Sequence, residues 1–182
     1  MAALVVTDKP AFADEVAYWA GQKLAQLADD PTPAYNLVGT LYYAPSGWIF
    51  LSVPAALIRG VFQAMREPGI ELPTGGKGSF LVPHISVMRP EEVQKIGGPD
   101  KVTERGKQFH YSLGRLFSVE PDGWPAMERI WAIKVHSFEL QNFRRAYGLS
   151  SLPDNGTKPF HITIAQRRRG ILGRNEKSKG GP

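Results

Sequence analysis

Apolar positions along the chain recur at two spacings. In residues 12–30 and 54–65 they recur every three or four positions, which predicts two amphipathic helices. A shorter helix is expected to begin at Pro90 and to end at the glycines near position 97. A fourth helix is expected from Ser137, a typical N-cap residue, to about Tyr147. Helices therefore account for only part of the chain.

Other segments alternate apolar and polar residues or carry short apolar runs, which is typical of strands. The predicted strands are residues 37–43, 47–53, 79–88, 109–119, 129–135 and 160–166. Strands and helices are interleaved irregularly, and proline- and glycine-rich turns are frequent. This order favours an α+β fold with antiparallel sheets flanked by helices over a doubly wound parallel sheet. No glycine-rich phosphate loop follows a strand.

The composition fits one ordinary globular domain, because 42% of the 182 residues are apolar and 21% are charged. We expect a single domain over residues 1–173, with the helix at 12–30 as an extension, and a disordered basic tail at 174–182. The chain has no cysteine, which excludes disulfides, thiolate metal sites and cysteine nucleophiles. No apolar run approaches the roughly 20 residues that span a bilayer. The beginning of the chain does not resemble a signal peptide, so we expect a cytoplasmic protein without a membrane partner.

The net charge of +5 belongs to the end of the chain. Residues 166–182 contain six basic residues and one acidic residue, which accounts for the whole excess. The remaining body is near neutral, unlike domains that track along nucleic acid. We therefore expect no stable nucleic-acid complex, and the sequence leaves the oligomeric state open.

Two segments of the chain match each other. Each reads histidine, apolar, hydroxyl, apolar: His84 with Ser86 in the first and His161 with Thr163 in the second. Because side chains alternate along a strand, each histidine shares a face with its hydroxyl, while Ile85 and its counterparts point to the core. Two such strands side by side would present two imidazoles and two hydroxyls to one cleft.

These residue types suit the cleavage of a phosphodiester. With a reference pKa near 6.5, one histidine can be neutral and act as a base while the other is protonated and acts as an acid. The hydroxyls can donate hydrogen bonds to phosphate oxygens. A metal site is the main chemical alternative, but no third ligand stands at an obvious spacing. We expect no metal and no cofactor.

The paired segments, His84-Ile85-Ser86 and His161-Ile162-Thr163, resemble the His-x-Ser/Thr signature of the 2H phosphoesterase superfamily. The resemblance covers about residues 47–169. It implies a bilobal α+β fold with pseudo-twofold symmetry around a central cleft and a catalytic role for the four motif residues. Members of that family act on 2′,3′-cyclic phosphates, RNA ends or cyclic oligonucleotides. Stretches 88–93 and 97–106 are most similar to the phage anti-CBASS nucleases, which degrade cyclic-nucleotide immune signals in the host cytoplasm.

Three further residues are candidates for binding substrate. Trp48 and Trp124 could stack on bases. Because side chains alternate along a strand, Arg167, six residues after His161, is expected on the cleft face, where it could bind phosphate. The other two histidines, His110 and His136, are interpreted as surface or hydrogen-bonded structural residues. Trp131, which alternates with apolar residues, is expected in the core.

The sequence therefore predicts a metal-independent phosphodiesterase acting on a cyclic di- or trinucleotide. One alternative is an enzyme acting on 2′,3′-cyclic phosphates or RNA ends. Another, of a different class, is a cyclic-nucleotide-binding sponge or an RNA-binding module that uses the basic tail. Which histidine is the acid and which the base stays open.

Overall fold

The computed structural model describes residues 36–73 and 82–170. Within these residues the strands are β1 Asn36–Tyr43, β2 Ile49–Ser52, β3 His84–Met88, β4 Gln108–Val119, β5 Met127–His136 and β6 His161–Arg168. The helices are α1 Ala55–Ala64, α2 Pro90–Lys95 and α3 Phe138–Ala146, with one 3-10 turn at Pro99–Lys101. The α+β prediction is confirmed, and β3 begins at His84, while residues 79–81 of the strand predicted for 79–88 lie outside the described residues. The helix predicted for 12–30 and the tail at 174–182 lie outside the described residues.

All strand pairs in the described part of the chain are antiparallel, and the sheet closes on itself. The order is β1-β2-β3-β6-β5-β4, and β4 pairs with β1 to complete a six-stranded barrel. The predicted antiparallel pairing is confirmed, but the strands form one closed barrel rather than separate sheets.

The barrel consists of two units with the same order of elements. The first is β1-β2-α1-β3 and the second is β4-β5-α3-β6. The units meet where β3 pairs with β6, at Ile85 opposite Ile162, and again where β1 pairs with β4. Each motif histidine is the first residue of the third strand of its unit. The match between the two sequence segments is therefore also a match in topology.

One face of the strands forms the hydrophobic core. Strand residues such as Leu51, Ile85 and Ile162 are fully buried and belong to one cluster with apolar residues of α1 and α3. The rings of Phe109 on β4 and Phe143 on α3 lie 5.2 Å apart between centroids. A helix is about 10–12 Å wide, which is too wide for the interior of a six-stranded barrel. The helices therefore cover the outer face of the barrel, and the opposite face of the strands carries half-buried residues such as Phe50, Ser52 and Ser86. We call that opposite face the inner face.

Arg144 on α3 connects the segments that lead into and out of the two motifs. Its guanidinium is fully buried and donates to the carbonyl oxygen of Val87 at 2.5 Å and to the Glu92 carboxylate at 2.6 Å. It also donates to the carbonyl oxygens of Ser150 at 2.8 Å and Leu152 at 3.1 Å. Four groups from β3, α2 and the loop before β6 are thus held around a single side chain.

Candidate active site

The two motif histidines are held in the same way. His84 Nδ1 lies 2.8 Å from the carbonyl oxygen of Val82, and His161 Nδ1 lies 3.0 Å from that of Pro159. In each case the acceptor is two residues earlier in the chain. Because a carbonyl oxygen can only accept, Nδ1 carries the hydrogen in both rings. The Nε2 atoms are therefore left to take up or release a proton, as an acid–base pair requires.

The register between β3 and β6 brings the four motif residues together. Ile85 is opposite Ile162 in an antiparallel pair, so one step to either side sets His84 opposite Thr163 and Ser86 opposite His161. The two histidines are diagonal neighbours, and such neighbours are separated by about 7–8 Å in a sheet. All four residues are half-buried. Two imidazoles and two hydroxyls thus surround one small area of the inner face.

The electrostatic environment of His84 favours its neutral form. Burial lowers the pKa of His84, because an imidazolium ion loses hydration when it is removed from water. The hydrogen bond to Val82 acts in the opposite direction, and positive charge on His161 lowers the pKa of His84 further. The net pKa is below the ordinary value. A positive charge elsewhere in the site therefore opposes protonation of His84.

Aromatic side chains line the inner face beside His84. The Phe50 ring lies 4.1 Å from the His84 ring between centroids, and Trp48 is stacked on Phe50 at 5.5 Å with 8° between the ring planes. Tyr42 lies 5.5 Å from Phe50 on the other side. The structure thus brings the predicted Trp48 to the site through Phe50, which sequence reasoning missed. The signal was present, because Trp48 and Phe50 alternate with the buried Ile49.

A lysine lies beside the second motif. Lys134 is the cross-strand partner of His161, and it is half-buried between the fully buried Ile133 and Val135. Its side chain therefore points to the inner face. Among the described residues, no carboxylate forms an ion pair with Lys134. Sequence reasoning missed this residue, although a single lysine among the apolar residues 130–135 was a detectable signal.

Arg167 does not lie on the inner face, so the placement predicted for it is wrong. Ala132 pairs with Thr163 but Trp131 pairs with Ala165, which leaves Ile164 as an extra residue on β6. This β-bulge reverses the alternation beyond it. The Arg167 guanidinium lies 5.3 Å from the centre of the Trp131 ring. Trp131 is buried in the core, as predicted.

Further contacts hold Arg167 on the outer side of the barrel. Its guanidinium forms an ion pair with Glu128 at 2.9 Å and lies 3.4 Å from the carbonyl oxygen of Pro68, which follows α1.

Trp124 is also separated from the histidines. It lies in the turn between β4 and β5 and is 56% exposed. On the β5–β6 ladder, His161 pairs with Lys134, whereas Met127, next to this turn, pairs with Arg168 seven residues away. Seven strand residues span about 23 Å. Trp124 thus stands at the far end of the ladder from the motif residues.

The remaining histidines lie outside the motif, as expected. His110 is exposed, and its Nδ1 lies 3.0 Å from a carboxylate oxygen of Glu139. His136 is also exposed, and its ring lies against Gly114, where an added Cβ would come within 3.0 Å of His136 Nε2. Both agree with surface or structural roles.

Within residues 36–73 and 82–170, no three histidine, aspartate or glutamate side chains are grouped so that they could hold a metal ion. No helix in this part of the chain has the length and apolar character to cross a bilayer. Comparison of the chain with protein-family models, with curated proteins and with solved structures gave no match.

Proposed function

We propose that this protein is a phosphodiesterase of the 2H type that cleaves a small cyclic nucleotide without a metal ion. The observation that carries the proposal is the equivalence of the two histidines. Each begins the third strand of its unit, each donates Nδ1–H to a carbonyl oxygen two residues earlier, and each has a hydroxyl residue two positions later. A structural histidine has no need to be repeated in this way on both sides of one strand pair.

The reaction proceeds by transesterification within the substrate. The Nε2 atom of one histidine takes the proton of a ribose 2′-hydroxyl, whose oxygen attacks the adjacent phosphorus. The bond from phosphorus to the leaving 5′-oxygen breaks, and Nε2 of the other histidine donates a proton to that oxygen. The product ends are a 2′,3′-cyclic phosphate and a 5′-hydroxyl. Because the nucleophile is held by the substrate, proximity contributes to the rate without a protein nucleophile.

The hydroxyls of Ser86 and Thr163 complete the site. They share the inner face with the histidines and donate to the non-bridging phosphate oxygens, where negative charge grows during the reaction. Donors that are already oriented towards this charge need little reorganisation when it forms. Their role is thus to stabilise charge rather than to transfer a proton.

Three considerations support a cyclic di- or trinucleotide of the kind that CBASS immunity uses as a signal. The first is the resemblance of stretches 88–93 and 97–106 to the phage anti-CBASS nucleases. The second is the repeat of one order of elements in the two units, since the 2H resemblance implies pseudo-twofold symmetry. The third is the near-neutral body of the chain, since long nucleic acids are usually bound by basic surfaces. The charge of Arg167 is also offset by its ion pair with Glu128.

The proposal is tested by incubating the protein in excess EDTA with a panel of substrates. The panel contains 3′–5′-linked cyclic di- and trinucleotides, nucleoside 2′,3′-cyclic phosphates and RNA with defined ends. We expect cyclic dinucleotides or trinucleotides to be cut fastest, and their 2′-deoxy forms to be bound but not cut. His84→Ala and His161→Ala should each lower the single-turnover rate by about 10²-fold or more. The exposed His110→Ala is the matched control and should behave like the wild type.

Each alternative gives a different result in this experiment. Preferred cleavage of 2′,3′-cyclic phosphates or RNA ends would contradict the proposed substrate but not the proposed active site. Tight binding without turnover would indicate a sponge. Activity that is lost in EDTA and restored by a divalent cation would contradict the metal-independent mechanism, and near-native rates in either alanine variant would contradict the histidine pair.

A further inference from the structure

The two units carry different residues at equivalent places beside the motifs. Ser52 is the cross-strand partner of His84, and Lys134 is the corresponding partner of His161. Phe50 is the partner of Ser86, whereas Ala132 is the partner of Thr163. The histidines and hydroxyls are therefore the same in both units, but the residues opposite them on the neighbouring strands differ. The inner face is therefore aromatic beside the first motif and cationic beside the second.

The aromatic side is built for a flat ligand. Phe50 contacts the His84 ring and stacks on Trp48 with their planes nearly parallel, and both residues are half-buried rather than packed away in the core. The Ser52 hydroxyl is already used, because it accepts a hydrogen bond from the Thr40 backbone N–H at 2.8 Å. Flat apolar surface next to a reacting group is the feature with which proteins stack nucleobases.

The cationic side is built for negative charge. Lys134 presents an ammonium group to the inner face next to His161, and no carboxylate of the described residues neutralises it. The neighbouring position holds Ala132, so the second unit has no aromatic ring where the first has Phe50. A half-buried lysine without a partner acid is well suited to a phosphate.

We propose that a nucleotide binds in one orientation only, with a base stacked on Phe50 and Trp48 beside His84 and with the phosphate charge next to Lys134 and His161. This inference rests on the proposed phosphodiesterase function for its choice of ligand. It defines Phe50, Trp48 and Lys134 as specificity residues. Because a purine covers more of an aromatic surface than a pyrimidine, purine nucleotides should bind more tightly.

Three small probes separate the two halves of the site. Adenosine carries the base alone, ribose 5-phosphate the phosphate alone, and adenosine 5′-monophosphate both. Dissociation constants are measured by NMR titration of the full chain, and a thermal melt of each variant checks that it is folded. The variants are Phe50→Leu and Lys134→Met, with Trp124→Leu and Lys95→Met as matched controls at exposed sites away from the motifs.

Phe50→Leu should weaken adenosine and adenosine 5′-monophosphate about tenfold, because loss of one base stack typically costs about that factor, and should leave ribose 5-phosphate within twofold. Lys134→Met should weaken both phosphate-bearing probes, flatten their dependence on salt and leave adenosine unchanged. The controls should match the wild type. Equal effects of both variants on all three probes, or no effect of either variant, would overturn the inference.

The same experiment distinguishes this inference from the proposed function. If the binding pattern appears but no cyclic nucleotide is cleaved, the orientation stands and the phosphodiesterase proposal fails. If cyclic nucleotides are cleaved but the probes show no such pattern, the orientation fails and the histidine pair is unaffected.

Discussion

Replacing Arg144 with methionine should destabilise the protein more than any surface substitution. The Arg144 side chain is not exposed to solvent, and its guanidinium pairs with Glu92, whose side chain is only 13% exposed. Methionine keeps much of the apolar volume but removes every donor. Glu92 is then left as a largely buried charge, and the carbonyl oxygens of Val87 and Ser150 lose the Arg144 donor. The carbonyl oxygen of Leu152 also loses this donor but still accepts from the Gly156 N–H and the Ser150 hydroxyl. Breaking a buried ion pair in this way costs about 3–5 kcal/mol.

That loss is a large share of the roughly 5–15 kcal/mol by which a domain is stable. For a chain of this length it corresponds to a fall in Tm of about 6–20 °C. Urea denaturation followed by tryptophan fluorescence measures the free energy of unfolding, and Arg145→Met is the matched control. Arg145 is exposed and bonds only to Asn142 within the described residues, so its removal should change stability by no more than about 0.5 kcal/mol.

The carboxylate partner supplies a second check. Burial alone would raise the pKa of Glu92, but hydrogen bonds from Arg144 and from the Arg89 backbone N–H outweigh it and lower the pKa. The stability that this carboxylate contributes is present above its unfolded pKa and is lost as pH falls through its lower folded pKa. In Arg144→Met this acid-dependent loss should shrink. A destabilisation below about 1 kcal/mol, or additive effects of Arg144→Met and Glu92→Gln, would refute the reasoning.

Three other predictions concern the site and its neighbourhood. Ser86→Ala and Thr163→Val should each lower kcat/KM about ten- to hundredfold, because a hydrogen bond to a charged group is worth roughly 1.5–3 kcal/mol. Steady-state kinetics measures this loss, and an unchanged kcat/KM in both variants would show that the hydroxyls do not contribute. Because the pKa of His84 is lowered in the folded state, the unfolded chain takes up protons first as pH falls below about 6.5, so the wild type should lose stability there relative to His84→Asn. Denaturation curves from pH 7 to 5 test this, and parallel curves for the two proteins would contradict it. Arg167→Met should leave turnover within twofold but lower the free energy of unfolding by up to about 1 kcal/mol, since its contacts are with Trp131 and Glu128; a tenfold loss of turnover with unchanged stability would return Arg167 to the site.

The alternation of side chains along a strand predicted correctly which motif residues share a face, because the strand pairing is regular there. His84 and Ser86 lie on one face while Ile85 is buried, as a period of two requires. The same rule failed for Arg167. The extra residue at Ile164 is apolar and buried like its neighbours, so the sequence gives no sign of where the alternation reverses.

Features that depend on pairing between distant strands could not be read from the sequence. Closure of the barrel requires β1 to pair with β4 and β3 with β6, and no local pattern specifies such partners. Alternation could have placed Phe50 and Lys134 on the same strand face as polar residues, but only the register shows that they are opposite Ser86 and His161. The distance of Trp124 from the histidines is also a property of the β5–β6 ladder and not of the turn that contains it.

The central claim is that His84 and His161 act as an acid–base pair, and the pH dependence of the single-turnover rate tests it most directly. The rate for a 3′–5′-linked cyclic dinucleotide is measured in excess EDTA for the wild type, His84→Ala and His161→Ala. We predict a bell-shaped profile for the wild type, and variants that are slower by about 10²-fold or more and that each lack a different limb of the bell. The limb lost in each variant assigns the base and the acid. Two variants that keep the full bell within about threefold of the wild-type rate would contradict the claim, since general acid–base catalysis is typically worth 10²–10⁴.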